Sequence, residues 1–175
     1  MSPLLPGNAA TQAVALWANQ WALDVYRYCR RFLSNDAEAE DVMQLVFLQA
    51  CEDFSSFRAE CSPRHWLLSI ARHRCLDRLK HNQRASLTPT QAPEPVAPPP
   101  VDEALARSQA ARELALCLDG LPDHARVAIV LRYHDDLSYE EIERLTGVKV
   151  GALRVRVLRA LPLLKACLEG KGVTW

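Results

Sequence analysis

No stretch of this 175-residue chain is apolar enough, for long enough, to cross a bilayer. The first residues, MSPLLPGNAATQ, lack the basic segment followed by an apolar run that marks a secretory signal. Together these absences predict a cytoplasmic protein. An excess of one charge is missing too: 21 Lys and Arg balance 21 Asp and Glu, which argues against a uniformly basic nucleic-acid binder. The six cysteines form no CxxC pair and read as small buried hydrophobes. Cys61, His65, His73 and Cys75 have side chains able to ligate a metal, but their spacing matches no recognised zinc pattern, so no metal is expected. No Ser/His/Asp set, carboxylate pair or phosphate-binding loop argues for catalysis. Neither an enzymatic activity, a cofactor nor a small-molecule substrate is therefore expected.

What is present begins with LTPTQAPEPVAPPPV, Leu87 to Val101, which carries most of the chain's 11 prolines and no glycine. Closely spaced prolines fix φ and remove donors, so the stretch favours an extended spacer over a helix or strand. At about 3.1 Å per residue, a spacer from Arg84 to Val101 reaches up to about 50 Å. The expected fold is all-α: two small helical domains, 1–85 and 102–175, joined by a Pro-rich linker, 86–101.

The charges, balanced in total, are segregated along the chain. Asp36, Glu38, Glu40, Asp41, Glu52, Asp53 and Glu60 face only Arg58 in their segment. From Arg64 to Arg84 the basic residues outnumber Asp77, and from Lys149 to Lys171 they outnumber Glu169. One acidic and two basic faces predict different partners on different sides.

Helical periodicity places a first helix over about Thr11 to Leu33, with Val14, Trp17, Trp21, Val25, Tyr28 and Phe32 inward. Ser34, Asn35 and Asp36 offer caps for a second helix running to about Asp53. Its core stripe is Val42 and Val46 with Phe47 and Cys51. Asp41, Leu45 and Leu48 share another side, and an exposed Leu45 beside Asp41 and Gln44 suits a protein interface. SSFRAECSP reads as a loop anchored by Phe57, and Ser62-Pro63 opens a third helix. That helix turns Trp66, Leu67, Ile70, Cys75, Leu76 and Leu79 inward. It leaves Arg72, Arg74, Arg78, Lys80 and Arg84 as a basic face with few acidic neighbours, suited to phosphate.

Beyond the linker, helices are expected over Asp102 to Asp119 and Asp123 to Tyr133. The first carries apolar Leu105, Leu114, Leu116 and Leu118. In LSYEEIERLTGVKVGALRVRVLRAL, Ser138 and Glu141 form a capping box. A turn at Thr146-Gly147-Val148 and a second helix from Lys149 or Val150 complete a helix-turn-helix. Small Gly151 and Ala152 at the start of that helix let backbone amides approach phosphate. The basic set Lys149, Arg154, Arg156 and Arg159 can read guanine edges or grip phosphate. Val150, Leu153, Val157, Leu158 and Leu161 remain for the core. Pro162 is expected to kink or restart the helix, leaving Leu163, Leu164 and Leu168 as a packing tail.

The run DAEAEDVMQLVFLQA, then FRAE and WLLSIARHRCLDRLKHNQR, resembles the core-binding and promoter-melting domain of bacterial extracytoplasmic-function sigma factors, in the sigma-70 family. Leu121, Pro122, Arg126 and Leu131 with the helix-turn-helix resemble that family's promoter-reading domain. The resemblance implies a transcription initiation factor that binds core RNA polymerase and recognises promoter DNA. Asp41, Gln44, Leu45 and Leu48 would dock on the polymerase clamp helices. Phe57, Arg58, Glu60 and Cys61 would help capture a base flipped from the minus-10 element. Arg72, His73, Arg74, Asp77 and Arg78 would contact the same single strand. Lys149, Gly151, Ala152, Arg154, Arg156 and Arg159 would contact the minus-35 element. An inhibitory anti-sigma factor is also implied, one that would hold the protein at the inner membrane if it is itself membrane-bound.

Six positions depart from the family pattern. Leu45 replaces an acidic residue, His73 an asparagine, and Ala152-Leu153-Arg154 a Thr-Val-Lys. Glu143 replaces a small alanine and must point outward or bend the motif. Two rival readings remain: a dimeric helix-turn-helix regulator acting without polymerase, and a cysteine-based redox or metal sensor.

Overall fold

The computed structural model describes residues 6–58, 61–85 and 105–173, with side-chain surroundings over 9–58, 61–84 and 109–173. The chain divides into two compact units, Met1–Pro93 and Glu94–Trp175. Every regular element among the described residues is helical. The stretch 86–101, expected to be a linker, lies outside the described residues, as does Glu60.

In the first unit, α1 (Pro6–Phe32), α2 (Asp36–Glu52) and α3 (Pro63–Ala85) each pack on the other two. From α1, Val14, Val25, Tyr28, Cys29 and Phe32 are buried. Facing them, α2 contributes Ala39, Val42, Val46 and Ala50. The two alanines let the helices approach closely where the sequence suggested Phe47 and Cys51, which are only half-buried. From α3 come Leu67, Ile70, Ala71, Cys75, Leu76 and Leu79. Burying each large aliphatic side chain contributes about 1.5–3 kcal/mol, so this layer is the unit's main source of stability.

Polar ties fix how the three helices sit. Asn35 caps α2 by accepting the Glu38 N–H at 3.3 Å. Arg30 pairs with Asp36 and donates to the Leu33 carbonyl at 2.6 Å, pinning the turn between α1 and α2. Arg64 at the start of α3 reaches Asp24 of α1 at 2.7 Å.

The second unit is built from shorter pieces: α4 (Leu105–Asp119), α5 (Asp123–Ile129), α6 (Tyr139–Thr146) and the longer α7 (Val150–Gly170). The helix expected to reach Tyr133 as one piece instead widens into a π turn over Val130–His134, closed by the Asp135 N–H on the Val130 carbonyl. Cys117, Leu118, Leu121, Ala125, Ile129, Ala160, Leu164 and Leu168 form the core.

Several expectations change here. Cys117 and Cys167 are joined in a disulfide across 50 residues, tying α4 to α7. They are therefore not independent buried hydrophobes, whereas Cys29 and Cys75 are buried thiols. Residues so far apart carry no local spacing signal. Pro162 does not interrupt α7. Both Pro162 and the residue one turn before it, Leu158, are exposed, so the carbonyl that loses its N–H partner faces water. Leu158, Leu163 and Leu116 are exposed rather than buried, at 72%, 61% and 55%.

Candidate nucleic-acid and polymerase interfaces

The outer side of α2 carries Asp41, Gln44, Leu45 and Leu48, all exposed. Leu48, 60% exposed, is the most prominent apolar group on it. Since α2 already buries Val42 and Val46, these leucines lie off its packed side. Two leucines framed by a carboxylate and an amide form a small apolar patch with a polar rim, the anatomy of a protein-binding surface.

The basic side of α3 is less open than its sequence suggests. Arg78 lies 3.7 Å from Glu38 and 4.0 Å from Asp41. Arg74 donates to Gln49 at 2.7 Å, and Asn82 donates to both Glu38 oxygens at 3.0 and 3.2 Å. Acidic residues that are distant in sequence thus balance part of the arginine face. Its boundary with the α2 surface runs through the Arg78–Asp41 contact. His73 donates its Nδ1 proton to the Ser69 carbonyl at 2.7 Å, so its other ring nitrogen is available for a ligand. His73 and Asp77 are exposed, and Arg72 is half-buried.

Aromatic packing anchors the loop that precedes α3. Phe57 meets Trp17 edge-to-face at 5.2 Å and Trp66 at a tilt at 5.3 Å. Trp17 also meets Phe54 at 5.5 Å and Trp21 at 6.5 Å. This cluster is half-buried, so Trp17 and Trp21 serve as loop support rather than as closed core. It holds up a loop whose Arg58 and Cys61 are exposed. Among the described residues, no group of three or more His, Cys, Asp or Glu side chains could hold a metal ion.

In the second unit the helix-turn-helix forms as its residues require. Ser138 accepts the Glu141 N–H at 3.2 Å, while Glu141 accepts the Ser138 N–H at 2.8 Å. Gly147 ends α6 with φ at 75°, a conformation that favours glycine. Thr146 accepts the Val148 N–H at 3.2 Å. Ile142, Leu153 and Val157 are buried and set α6 against α7.

At the start of α7, Gly151 and Ala152 are exposed, and a Cβ at Gly151 would meet nothing within 4 Å. Glu143 points neither outward nor into the packing. Its carboxylate reaches across the turn, accepting the Val150 N–H at 3.3 Å and meeting Lys149 Nζ at 2.9 Å. The Lys149 hydrogen bond, then that from Val150, hold the Glu143 carboxyl below the usual carboxylate range.

The three arginines of α7 do not share one face. At 3.6 residues per turn, Arg156 lies about 200° around the helix from Arg154, whereas Arg156 and Arg159 lie about 60° apart. Arg154 sits over the Tyr139 ring at 5.6 Å, and the Arg132 guanidinium is also 5.6 Å from that ring. Arg132 and Tyr139 extend the basic surface beyond α7, a grouping the sequence reading missed. Its one local signal is an aromatic residue directly after the Ser138 cap.

Residues 17–85 match the family profile of sigma-70 region 2, and residues 111–164 match that of sigma-70 region 4. The chain belongs to the sigma-70 family. It falls in the extracytoplasmic-function group, alongside relatives that span most of its length. The ECF RNA polymerase sigma factor SigK of Mycobacterium ulcerans is 28% identical over 161 residues, covering 90% of this chain and 86% of the relative. The protein of the same description from Mycobacterium tuberculosis strain H37Ra is 29% identical over 150 residues, covering 83% and 80%. The solved structure of the Bartonella quintana sigma factor RpoE, in complex with the anti-sigma factor NepR, shares the fold. Its TM-score is 0.54 at 20% identity, covering 89% of this chain and 96% of that one.

A sigma factor of this group initiates transcription by directing RNA polymerase to specific promoters. Region 2 takes in α2, the Phe57 loop and α3, and region 4 takes in the helix-turn-helix. The sigma-70 regions therefore coincide with the surfaces described above.

Proposed function

We propose that the exposed face of α2 docks on core RNA polymerase through Asp41, Gln44, Leu45 and Leu48. Phe57, Arg58, Glu60 and Cys61 form the loop that captures a flipped minus-10 base, and Arg72, His73, Arg74, Asp77 and Arg78 follow the same strand. Lys149, Gly151, Ala152, Arg154, Arg156 and Arg159 contact the minus-35 element, Arg154 from a different side than Arg156 and Arg159. The working domains are 1–85 and 102–175, with 86–101 spanning between their DNA sites. The protein works in the cytoplasm, without catalytic activity of its own.

The observation that carries this reading is Leu48, a large apolar side chain left exposed on a helix that already buries its other side. An inhibitory partner is supported by the complex in which the Bartonella relative was solved. Such an anti-sigma factor would cover the same faces. The α2 assignment is tested by assembling core polymerase with the full chain and with Leu48→Asp. The expected result is about a tenfold weaker holoenzyme for the variant, with the fold intact. Unchanged assembly would remove α2 from the interface.

The Cys117–Cys167 disulfide favours a second layer. Disulfides are rare in reducing cytoplasm, so region 4 is a candidate redox-responsive element. Holoenzyme transcription compared with and without reductant tests it. Equal activity would rule this layer out.

A further inference from the structure

Lys149, the N-cap of α7, makes no side-chain capping hydrogen bond, although the helix it opens runs for 21 residues. Its first turn therefore exposes backbone N–H groups beside a lysine and two small residues, the arrangement that receives a DNA phosphate in a helix-turn-helix. Here that place is contested from within the chain. Glu143 projects from α6 and takes the Val150 N–H with one carboxylate oxygen and Lys149 Nζ with the other. Lys149 is 87% exposed, and among the described residues its head is tethered by this surface pair. Gly151 alongside stays open.

We propose that Glu143 is an affinity-setting residue of minus-35 binding: its carboxylate occupies the phosphate position at the start of the recognition helix and neutralises Lys149. The inference rests on the assignment of the helix-turn-helix to promoter DNA. A phosphate contact adds affinity on any sequence, whereas base-edge contacts discriminate. A carboxylate that withholds one phosphate contact lowers affinity for all duplexes alike. The ratio between sequences is left to base-reading side chains such as Arg154. Glu143 also ties α6 to the first turn of α7, so it positions the helix it restrains.

Removing the charge separates these two effects. The carbonyl oxygen of Glu143→Gln can still accept the Val150 N–H but releases Lys149. Glu143→Ala releases both groups. The full-length chain is used to select a short duplex from a randomised pool. Binding of that duplex and of the unselected pool is then followed by fluorescence anisotropy across a salt series.

For Glu143→Gln, the expected result is tighter binding to both probes by a similar factor, with the preference for the selected one unchanged. Its log–log salt slope should steepen by about 0.9, the signature of one added phosphate contact. Between about 50 and 200 mM salt, that slope is an additional affinity loss of about threefold. Lys149→Ala introduced into the Gln variant should abolish the gain. Weaker binding at an unchanged slope in both Glu143 variants would overturn the proposal and leave Glu143 a structural cap. Failure of the parent chain to enrich any duplex, with or without core polymerase, would overturn the DNA-reading assignment and the proposal together.

Discussion

The two units solve the same folding problem with different means. The first stacks three long helices and fully buries Phe32, Leu33, Leu67, Val25, Val42 and Val46. Its polar ties, such as Arg74 to Gln49 and Arg64 to Asp24, are many and individually weak. The second has helices of only 7 and 8 residues in α5 and α6, too short to hold themselves in water. It compensates with concentrated devices: a disulfide, a buried arginine and a capping box. Arg126 is 1% exposed and is held by Asp123 at 2.5 Å and Asp119 at 3.8 Å. The short-helix unit thus depends on a few strong contacts, whereas the long-helix unit spreads its stability over many.

This contrast is broken most directly at the disulfide. Cys167→Ser, or reduction, should lower the stability of the second unit by about 4 kcal/mol, from the loop that the bond closes. The first unit should not respond. Three of the chain's 4 tryptophans, Trp17, Trp21 and Trp66, lie in the first unit. Tryptophan fluorescence then reports that unit, while far-ultraviolet circular dichroism reports both. A comparable loss in the two signals would contradict the division.

Arg126→Met should come next, destabilising the second unit by about 2 kcal/mol in urea unfolding. That is less than a fully buried pair would give, because the Asp123 carboxylate is 47% exposed and regains water. In the first unit, Arg74→Ala should cost about 1 kcal/mol through its hydrogen bond to Gln49. If this single change matched the disulfide, stability there would not be distributed.

The smallest effect is a titration. Burial, then the hydrogen bond to Asp36, push the Tyr26 phenol up to about 12. A pKa raised in the folded state marks a contribution that is complete below the unfolded value, near 10. That contribution is lost as pH rises toward about 12. Ultraviolet difference titration should show Tyr26 ionising late, and that step moving back toward 10 in Asp36→Asn. No change in that variant would remove Asp36 from the cause.

Much of this was legible in the sequence because local chemistry wrote it there. The Asn35 and Ser138 caps, the Gly147 turn and the exposed Leu45 and Leu48 all follow from short-range spacing. What escaped depends on pairing across helices. Arg78 reads as an open cation until α2 brings Glu38 and Asp41 to it. Glu143 reads as a misfit in a packed motif until the turn places Lys149 and Val150 within its reach. Cys117 and Cys167 meet only through the fold of the second unit. Pro162 does not restart the helix because its effect depends on which side of α7 faces water.

The most direct measurement is transcription itself, with core RNA polymerase reconstituted with the full chain and the 5′ ends of its products mapped across a bacterial genome. The expected result is a set of starts preceded by two shared sequence elements at a common spacing and absent with core polymerase alone. No starts beyond those of core polymerase, together with tight dimeric binding of the chain to palindromic duplex, would contradict promoter-directed initiation by a sigma factor.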